Sequence, residues 1–114
     1  MDIKIRESGE IRVVDLIGRL DTGTSPAAES AINKLLETGH IKVIINLAKT
    51  EWVSSSGLRV FLVTAKKLSA LKGKLRICRP NEVVKEILDI SGFSTILNVR
   101  ASEDAAQIEL QLME

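Results

Sequence analysis

Residues 43–58 read VIINLAKTEWVSSSGL, an apolar run followed by a short polar segment and three consecutive serines. An apolar run almost without alternation, here Val43 to Leu47, is typical of a central strand that is covered on both faces. Helical spacing of the apolar residues after Gly57 places Ser54, Ser55 and Ser56 at a strand-to-helix turn. A serine there caps a helix or accepts a phosphate, because the first-turn N–H groups and the positive end of the helix dipole face it. Spacing alone favours the cap.

The preceding residues predict a hairpin and a helix. Ile3 and Ile5 alternate with charged residues, and a Ser-Gly-Glu turn at 8–10 joins them to a second apolar run at 11–17, as in a hairpin. Ser25 followed by Pro26 predicts a helix that Ser25 caps and that continues to Gly39.

The residues after the serines continue the alternation of helices and strands. The longest predicted helix follows the serines and stops at Gly73. Residues 75–78 predict a strand, residues 80–92 a helix and residues 96–99 a short last strand. Ser102 and the two acidic residues after it predict the capped start of a final helix. The predicted buried side of that helix consists of Ala105, Ile108 and Leu112.

The predicted order is ββαβαβαβα, which indicates a single α/β domain over residues 1–114 with a mixed, partly parallel β-sheet and right-handed crossovers. Such sheets keep their functional loops at the carboxyl ends of strands, beside helix N-termini. Residues 21–24, Asp-Thr-Gly-Thr, and residues 54–57, Ser-Ser-Ser-Gly, both belong to this class. We therefore expect two polar loops at one edge of the sheet.

Composition limits the classes of partner. Sixteen basic against fifteen acidic residues give a net charge of +1. This balance gives no electrostatic reason to expect nucleic acid or a membrane surface as a direct partner. No apolar run approaches the roughly eighteen residues of a membrane-spanning helix. Cys78 is the single cysteine, which excludes an internal disulfide, and the amino terminus lacks the pattern of a secretory signal. We expect a cytoplasmic protein that is not inserted into a membrane.

The sequence offers little support for catalysis. His40, the only histidine, is accompanied by no carboxylate pair or cysteine cluster at metal-ligand spacing. The three serines lack the Gly-x-Ser-x-Gly frame of a nucleophile elbow, and phosphate-loop and dinucleotide signatures are absent. We expect no enzymatic activity, no metal and no cofactor.

Two residues near these loops each have two interpretations. Trp52, with Val53 beside it, stands just before the serines and either anchors a partner or covers the sheet edge. Asp21 either contacts a partner or shapes its own loop through its side chain.

Residues 18–24, GRLDTGT, and residues 43–58 carry a resemblance to a known family. The first segment resembles the Gly-x-Leu-Asp-x-x-Thr motif of the STAS domains, the bacterial anti-sigma factor antagonists. The second resembles the strand, loop and Asp-Ser-Ser-Gly-Leu turn of that family, with Ser54 in place of the aspartate. Both motifs come in the family's order and spacing, and the resemblance covers essentially the whole chain.

The resemblance implies a partner switch. In that family an unphosphorylated antagonist binds an anti-sigma factor that is also a serine kinase, which frees a sigma factor. The kinase inactivates the antagonist by phosphorylating one serine of the turn, and a serine phosphatase resets it. By motif position Ser55 would be the acceptor, with Ser54 and Ser56 as alternatives. The implied partner-binding residues are Asp21, Thr24, Trp52, Val53, Ser54, Ser55, Ser56 and Gly57.

Ser54 leaves a second function open. A neutral residue before the acceptor cannot orient the hydroxyl or engage a kinase by charge. The alternative is a constitutive, non-phosphorylated STAS adaptor subunit of a transporter or a signalling scaffold. The serine at the acceptor position favours the switch, and the missing aspartate favours the adaptor.

Overall fold

The computed structural model describes residues 1–113, which form a mixed six-stranded sheet with helices on both faces. The strands are β1 (Asp2–Ser8), β2 (Ile11–Leu20), β3 (Lys42–Asn46), β4 (Thr50–Val53), β5 (Lys74–Cys78) and β6 (Val99–Arg100). The helices are α1 (Ser25–Glu37), α2 (Ser55–Ala70), α3 (Glu82–Ile90), α4 (Phe93–Ile96) and α5 (Glu103–Gln111).

The sheet has the order β1-β2-β3-β5-β6, so β3 lies at its centre, as its apolar run predicts. β1 and β2 form the predicted antiparallel hairpin, and the other pairs are parallel. β4 lies off this path and pairs in parallel with the end of β2, where Leu20 is opposite Val53. Because these two strands finish side by side, the polar loops that follow them begin side by side.

The two faces of the sheet are covered unequally. The larger core cluster joins one face to α1, α2 and α3, and it contains Val14, Ile45, Phe61 and Leu88, all 0% exposed. The smaller cluster joins the other face to α5 alone and consists of Ile11, Val13, Ile44, Cys78, Ala106 and Leu110. The two polar loops therefore follow strands of a sheet that is packed on both faces.

The sequence pattern did not predict β4. Its four residues, Thr-Glu-Trp-Val, have no clear alternation and follow a polar segment. Tertiary contacts make them a strand: they pair with β2, and the buried Thr50 hydroxyl donates to the carbonyl of Leu16 at 2.6 Å. The observed order therefore contains one strand and one short helix, α4, more than predicted.

The last strand begins three residues later than predicted. Ile96 ends α4, and Asn98 has a left-handed backbone with φ of 52°. The strand that pairs with β5 is Val99–Arg100. The apolar run at 96–99 is thus divided because Asn98 turns the chain, a conformation that asparagine tolerates better than most residues.

The predicted buried side of α5 is wrong. Ala106 and Leu110 are fully buried, whereas Ile108 and Leu112 are 57% and 80% exposed. Ala105 is also exposed. Ion pairs of Glu103 with Arg6, and of Glu109 with Arg76 and Arg100, accompany this orientation of the helix. Tertiary packing and charge pairing therefore override the apolar periodicity.

The predicted cap of α1 is also displaced by one residue. Thr24 occupies the N-cap position, and Ser25 is the first helical residue. The Ser25 hydroxyl, almost buried, donates to the carbonyl of Asp21 at 2.6 Å. Ser25 therefore ties the helix to the preceding loop instead of capping it.

Candidate functional site

The serine turn joins β4 to α2, and Ser54 caps the helix. Ser54 has an extended backbone, and its Oγ accepts a hydrogen bond from the N–H of Gly57 at 3.2 Å. Its own N–H donates to the carbonyl of Leu20 at 2.8 Å, which ties the turn to the end of β2. The helix cap predicted among the three serines is therefore Ser54, whose Oγ accepts the capping hydrogen bond.

Gly57 allows α2 to approach β2 and β4 closely. A Cβ added at Gly57 would lie 2.8 Å from both Leu20 Cγ and Val53 Cγ1. Leu20 and Val53 are 0% and 1% exposed, so neither can move aside into solvent. Glycine is required here by space. Val53 and Gly57 therefore support the turn from beneath, and the Val53 side chain presents no surface to a partner.

The remaining two serines differ in environment. Ser55, the first residue of α2, is exposed, and its hydroxyl has no hydrogen-bond partner among residues 1–113. Ser56 is half-buried, and its Oγ lies 3.2 Å from Thr22 Oγ1. This contact joins the two polar loops, as expected from their shared edge. Thr22 lies inside the GRLDTGT segment but was not among the predicted partner-binding residues.

Asp21 shapes its own loop. Its Oδ1 accepts from the N–H groups of Gly23 and Thr24 at 3.0 and 3.1 Å. The Thr24 amide is the main cause that lowers the pKa of Asp21, with Gly23 and the charge of Arg19 acting in the same direction. Thr24 closes the loop, since its Oγ1 donates to the carbonyl of Arg19 at 2.7 Å and accepts from the N–H of Asp21 at 2.9 Å.

Trp52 covers the sheet edge with only part of its side chain. It is half-buried, so part of the indole covers the sheet and part faces solvent. The Arg19 guanidinium carbon lies 4.9 Å from the ring centroid, and Arg19 is opposite Trp52 in the β2–β4 pairing. Arg19 and Trp52 therefore form a cation–π pair on β2 and β4, just before the serine turn. No sequence pattern indicates this pair, because the register between β2 and β4 creates it.

The electrostatic setting of the turn favours an anion. Ser55 and Ser56 occupy the first turn of α2, where N–H groups have no intrahelical acceptor. Arg59 is exposed and follows Ser55 by four residues, which places both on one side of the helix.

Among residues 1–113, no group of three His, Cys, Asp or Glu is arranged to hold a metal ion. No helix in that range is both long enough and apolar enough to cross a membrane.

Comparisons with known proteins agree with this architecture. The profile of the STAS domain family matches residues 2–106. A Bordetella bronchiseptica protein, provisionally named anti-sigma factor antagonist BtrV, is 33% identical over 91 residues, which cover 80% of this chain and 78% of that protein.

Two solved structures share the fold. An anti-sigma factor antagonist from Mycobacterium paratuberculosis superimposes with a TM-score of 0.89 at 21% identity, covering 96% of this chain and 93% of that one. The cell fate determinant SpoIIAA of Bacillus, in its phosphorylated form, gives a TM-score of 0.73 at 20% identity, covering 95% and 99% of the two chains. The chain belongs to the STAS domain family and, within it, to the anti-sigma factor antagonists, a regulatory class of protein.

Proposed function

We propose that this chain binds an anti-sigma factor that is also a serine kinase, frees a sigma factor by doing so, and is switched off by phosphorylation of Ser55. A serine phosphatase would reset it. The observation that carries the proposal is the difference between the three serines. Of these three serines, Ser55 alone is exposed and has a hydroxyl without a hydrogen-bond partner among residues 1–113, since Ser54 caps α2 and Ser56 contacts Thr22.

The turn can hold a phosphate on Ser55 without a change of fold. A phosphoserine carries about −1.5 to −2 charges at neutral pH and three strong acceptor oxygens. At the first position of α2 these oxygens face first-turn N–H groups and the positive end of the helix dipole. Arg59, one helical turn further on, adds a cation on the same side. The modified antagonist should therefore stay folded.

The same charge would disrupt a protein interface formed around an unmodified Ser55. An interface that closes over this hydroxyl excludes water, and a buried charge without a dedicated partner costs several kcal/mol. Every 1.4 kcal/mol changes the dissociation constant about ten-fold, so we expect phosphorylation to weaken binding by roughly 100-fold or more. The charge of the phosphate is then sufficient to release the partner.

The proposed contact surface surrounds Ser55. Thr22 and Ser56 connect the Asp21 loop to the serine turn, so a partner that covers one loop also meets the other. The exposed part of Trp52 would provide an aromatic anchor, a residue type enriched among interface hot spots. Asp21 and Thr24 would act mainly by holding their loop in shape, because their side chains are engaged within it.

Ser54 in place of the family's aspartate is compatible with the switch. The capping hydrogen bond to Gly57 is one that either serine or aspartate can accept, so the turn keeps its shape without the carboxylate. What is lost is a negative charge next to the acceptor. We therefore expect a slower phosphorylation step than in a Ser54→Asp variant.

The test is to incubate the chain with each purified anti-sigma serine kinase of its genome and Mg-ATP, and to map phosphate by mass spectrometry. Wild type is compared with Ser55→Ala, with Ser56→Ala as the matched control one residue away. The proposal expects phosphate on Ser55, no phosphate in Ser55→Ala, and weak kinase binding by Ser55→Glu. Stable binding without phosphate would identify a constitutive adaptor instead.

A further inference from the structure

Helix α3 carries two apolar stripes, and only one of them is in the core. Val84 and Leu88 are fully buried in the larger core cluster. Val83 and Ile90 are 51% and 79% exposed, and Ile87 between them is half-buried. At about 100° per residue, these last three residues lie roughly 110° around the helix from the buried pair. We name Val83, Ile87 and Ile90 the outer strip of α3.

The start of α3 is attached to the strand that leads into the serine turn. Asn81 caps α3 by accepting from the N–H of Val84 at 2.7 Å, and its Nδ2 donates to the carbonyl of Thr50 at 3.1 Å. Thr50 begins β4, and Ser55 follows it by five residues, at most about 17 Å along an extended chain. The helix start and Ser55 therefore lie at the two ends of one short, fixed strand.

A partner interface of ordinary size can cover both features. Such an interface buries about 800 Å² per partner, the area of a disc with a radius of roughly 16 Å. A partner seated on Ser55 and extending along β4 reaches the first turn of α3. The outer strip begins in that turn, at Val83, and extends about 10 Å along α3 to Ile90.

The charges beside the outer strip indicate the chemistry of its partner. Glu82, Glu86 and Asp89 follow one edge of the strip at helical spacing, on the side away from the buried stripe. Lys85, the only basic residue of α3, lies farther around the helix from the strip. A complementary surface is apolar at its centre and carries Lys or Arg along one border.

We propose that the outer strip of α3 docks on the anti-sigma factor, against an apolar patch bordered by basic residues. This inference rests on the proposed function and extends its interface beyond the serine turn. Because the strip is separate from the phosphate, it would supply affinity and partner choice, while Ser55 supplies the switch. Exposed apolar side chains at α5, Ile108 and Leu112, are not candidates for the same contact, since α5 covers the opposite face of the sheet.

The test measures the affinity of the purified anti-sigma serine kinase for wild type, Ile90→Lys, Ile90→Glu and Ile108→Lys. Ile108→Lys is the matched control, an exposed helical isoleucine given the same charge on the other face. We expect Ile90→Lys to weaken binding about ten-fold or more, because it buries a cation against basic residues. Ile90→Glu should weaken binding less, and the control should stay within about two-fold of wild type. All three variants are expected to keep the wild-type circular dichroism spectrum and melting temperature.

Other results would overturn the inference in distinguishable ways. If Ile90→Lys binds like wild type while Ser55→Glu does not bind, the switch stands and the outer strip has no role in it. If wild type is a dimer in solution that Ile90→Lys converts to a monomer, the strip joins two copies of this chain. If wild type binds no anti-sigma serine kinase, the proposed function fails together with the inference.

Discussion

The substitution Gly57→Ala tests the packing beneath the serine turn. The new Cβ would lie 2.8 Å from Leu20 Cγ, 2.8 Å from Val53 Cγ1 and 2.9 Å from Leu20 Cδ2. Three contacts below 3.0 Å with buried side chains place this change in the upper part of the 1–3 kcal/mol range for overpacking, about 2–3 kcal/mol. Alanine regains about 1 kcal/mol of helix propensity over glycine. The expected net loss in the free energy of unfolding is therefore about 1–2 kcal/mol.

The loss should appear in both stability and binding. For a domain of this length, about 1–2 kcal/mol corresponds to a fall in melting temperature of roughly 4–8 °C. Kinase affinity should also fall, because Leu20 accepts the hydrogen bond from the Ser54 N–H and its displacement moves the turn. Urea and thermal denaturation measure the first effect, and titration with the anti-sigma serine kinase measures the second.

The control for Gly57→Ala is Ser69→Ala, an exposed position near the end of the same helix. It raises helix propensity without a packing conflict and should be neutral or slightly stabilising. A Gly57→Ala protein as stable as wild type, with unchanged affinity, would refute the account of close packing at the turn.

Three further predictions concern the cap, an acidic network and the buried thiol. Ser54→Ala should cost about 1 kcal/mol in urea denaturation through loss of the cap, whereas Ser54→Asp should keep wild-type stability. Hydrogen bonding from Arg6 is the main cause that lowers the pKa of Glu103. This carboxylate therefore stabilises the fold above its unfolded pKa of about 4.3. The stabilisation is lost as pH falls through the lower folded value, so the melting-temperature advantage of wild type over Glu103→Gln should shrink as pH falls below about 4.3. Burial raises the pKa of Cys78 to about 12, so a thiol reagent at pH 8 should label it only after unfolding in urea; rapid labelling of the folded protein would contradict this.

At the serine turn, the sequence predicted where the three hydroxyls lie but not the separate role of each. The residue types and their order were sufficient to place three hydroxyls at the start of a helix. They did not distinguish Ser54 as the cap from Ser55 as the free hydroxyl, because that difference depends on the angle at which the chain enters α2. The contacts of Ser56 with Thr22 and of Trp52 with Arg19 join residues that are more than thirty positions apart in the chain, and no local pattern encodes such pairs.

The sequence by itself determined the class of fold and the position of β3 at the centre of the sheet. It also determined the edge at which the two polar loops meet. These features follow from local signals: unbroken apolar runs for buried strands, helical spacing for the helices, and Ser, Gly and Asn at their ends. Such signals act over a few residues and are strong when several agree.

Tertiary structure alone decided the strand state of β4 and the rotation of α5. β4 contains β-favouring residues, but four residues without alternation are a weak signal, and they become a strand because the end of β2 offers its N–H and C=O groups for pairing. α5 has two faces with apolar residues, and its ion pairs with the distant Arg6 and Arg76 accompany burial of Ala106 and Leu110, while Ile108 remains exposed. Both outcomes depend on partners far away in the chain, and the free energy of those contacts exceeds the weak local preference.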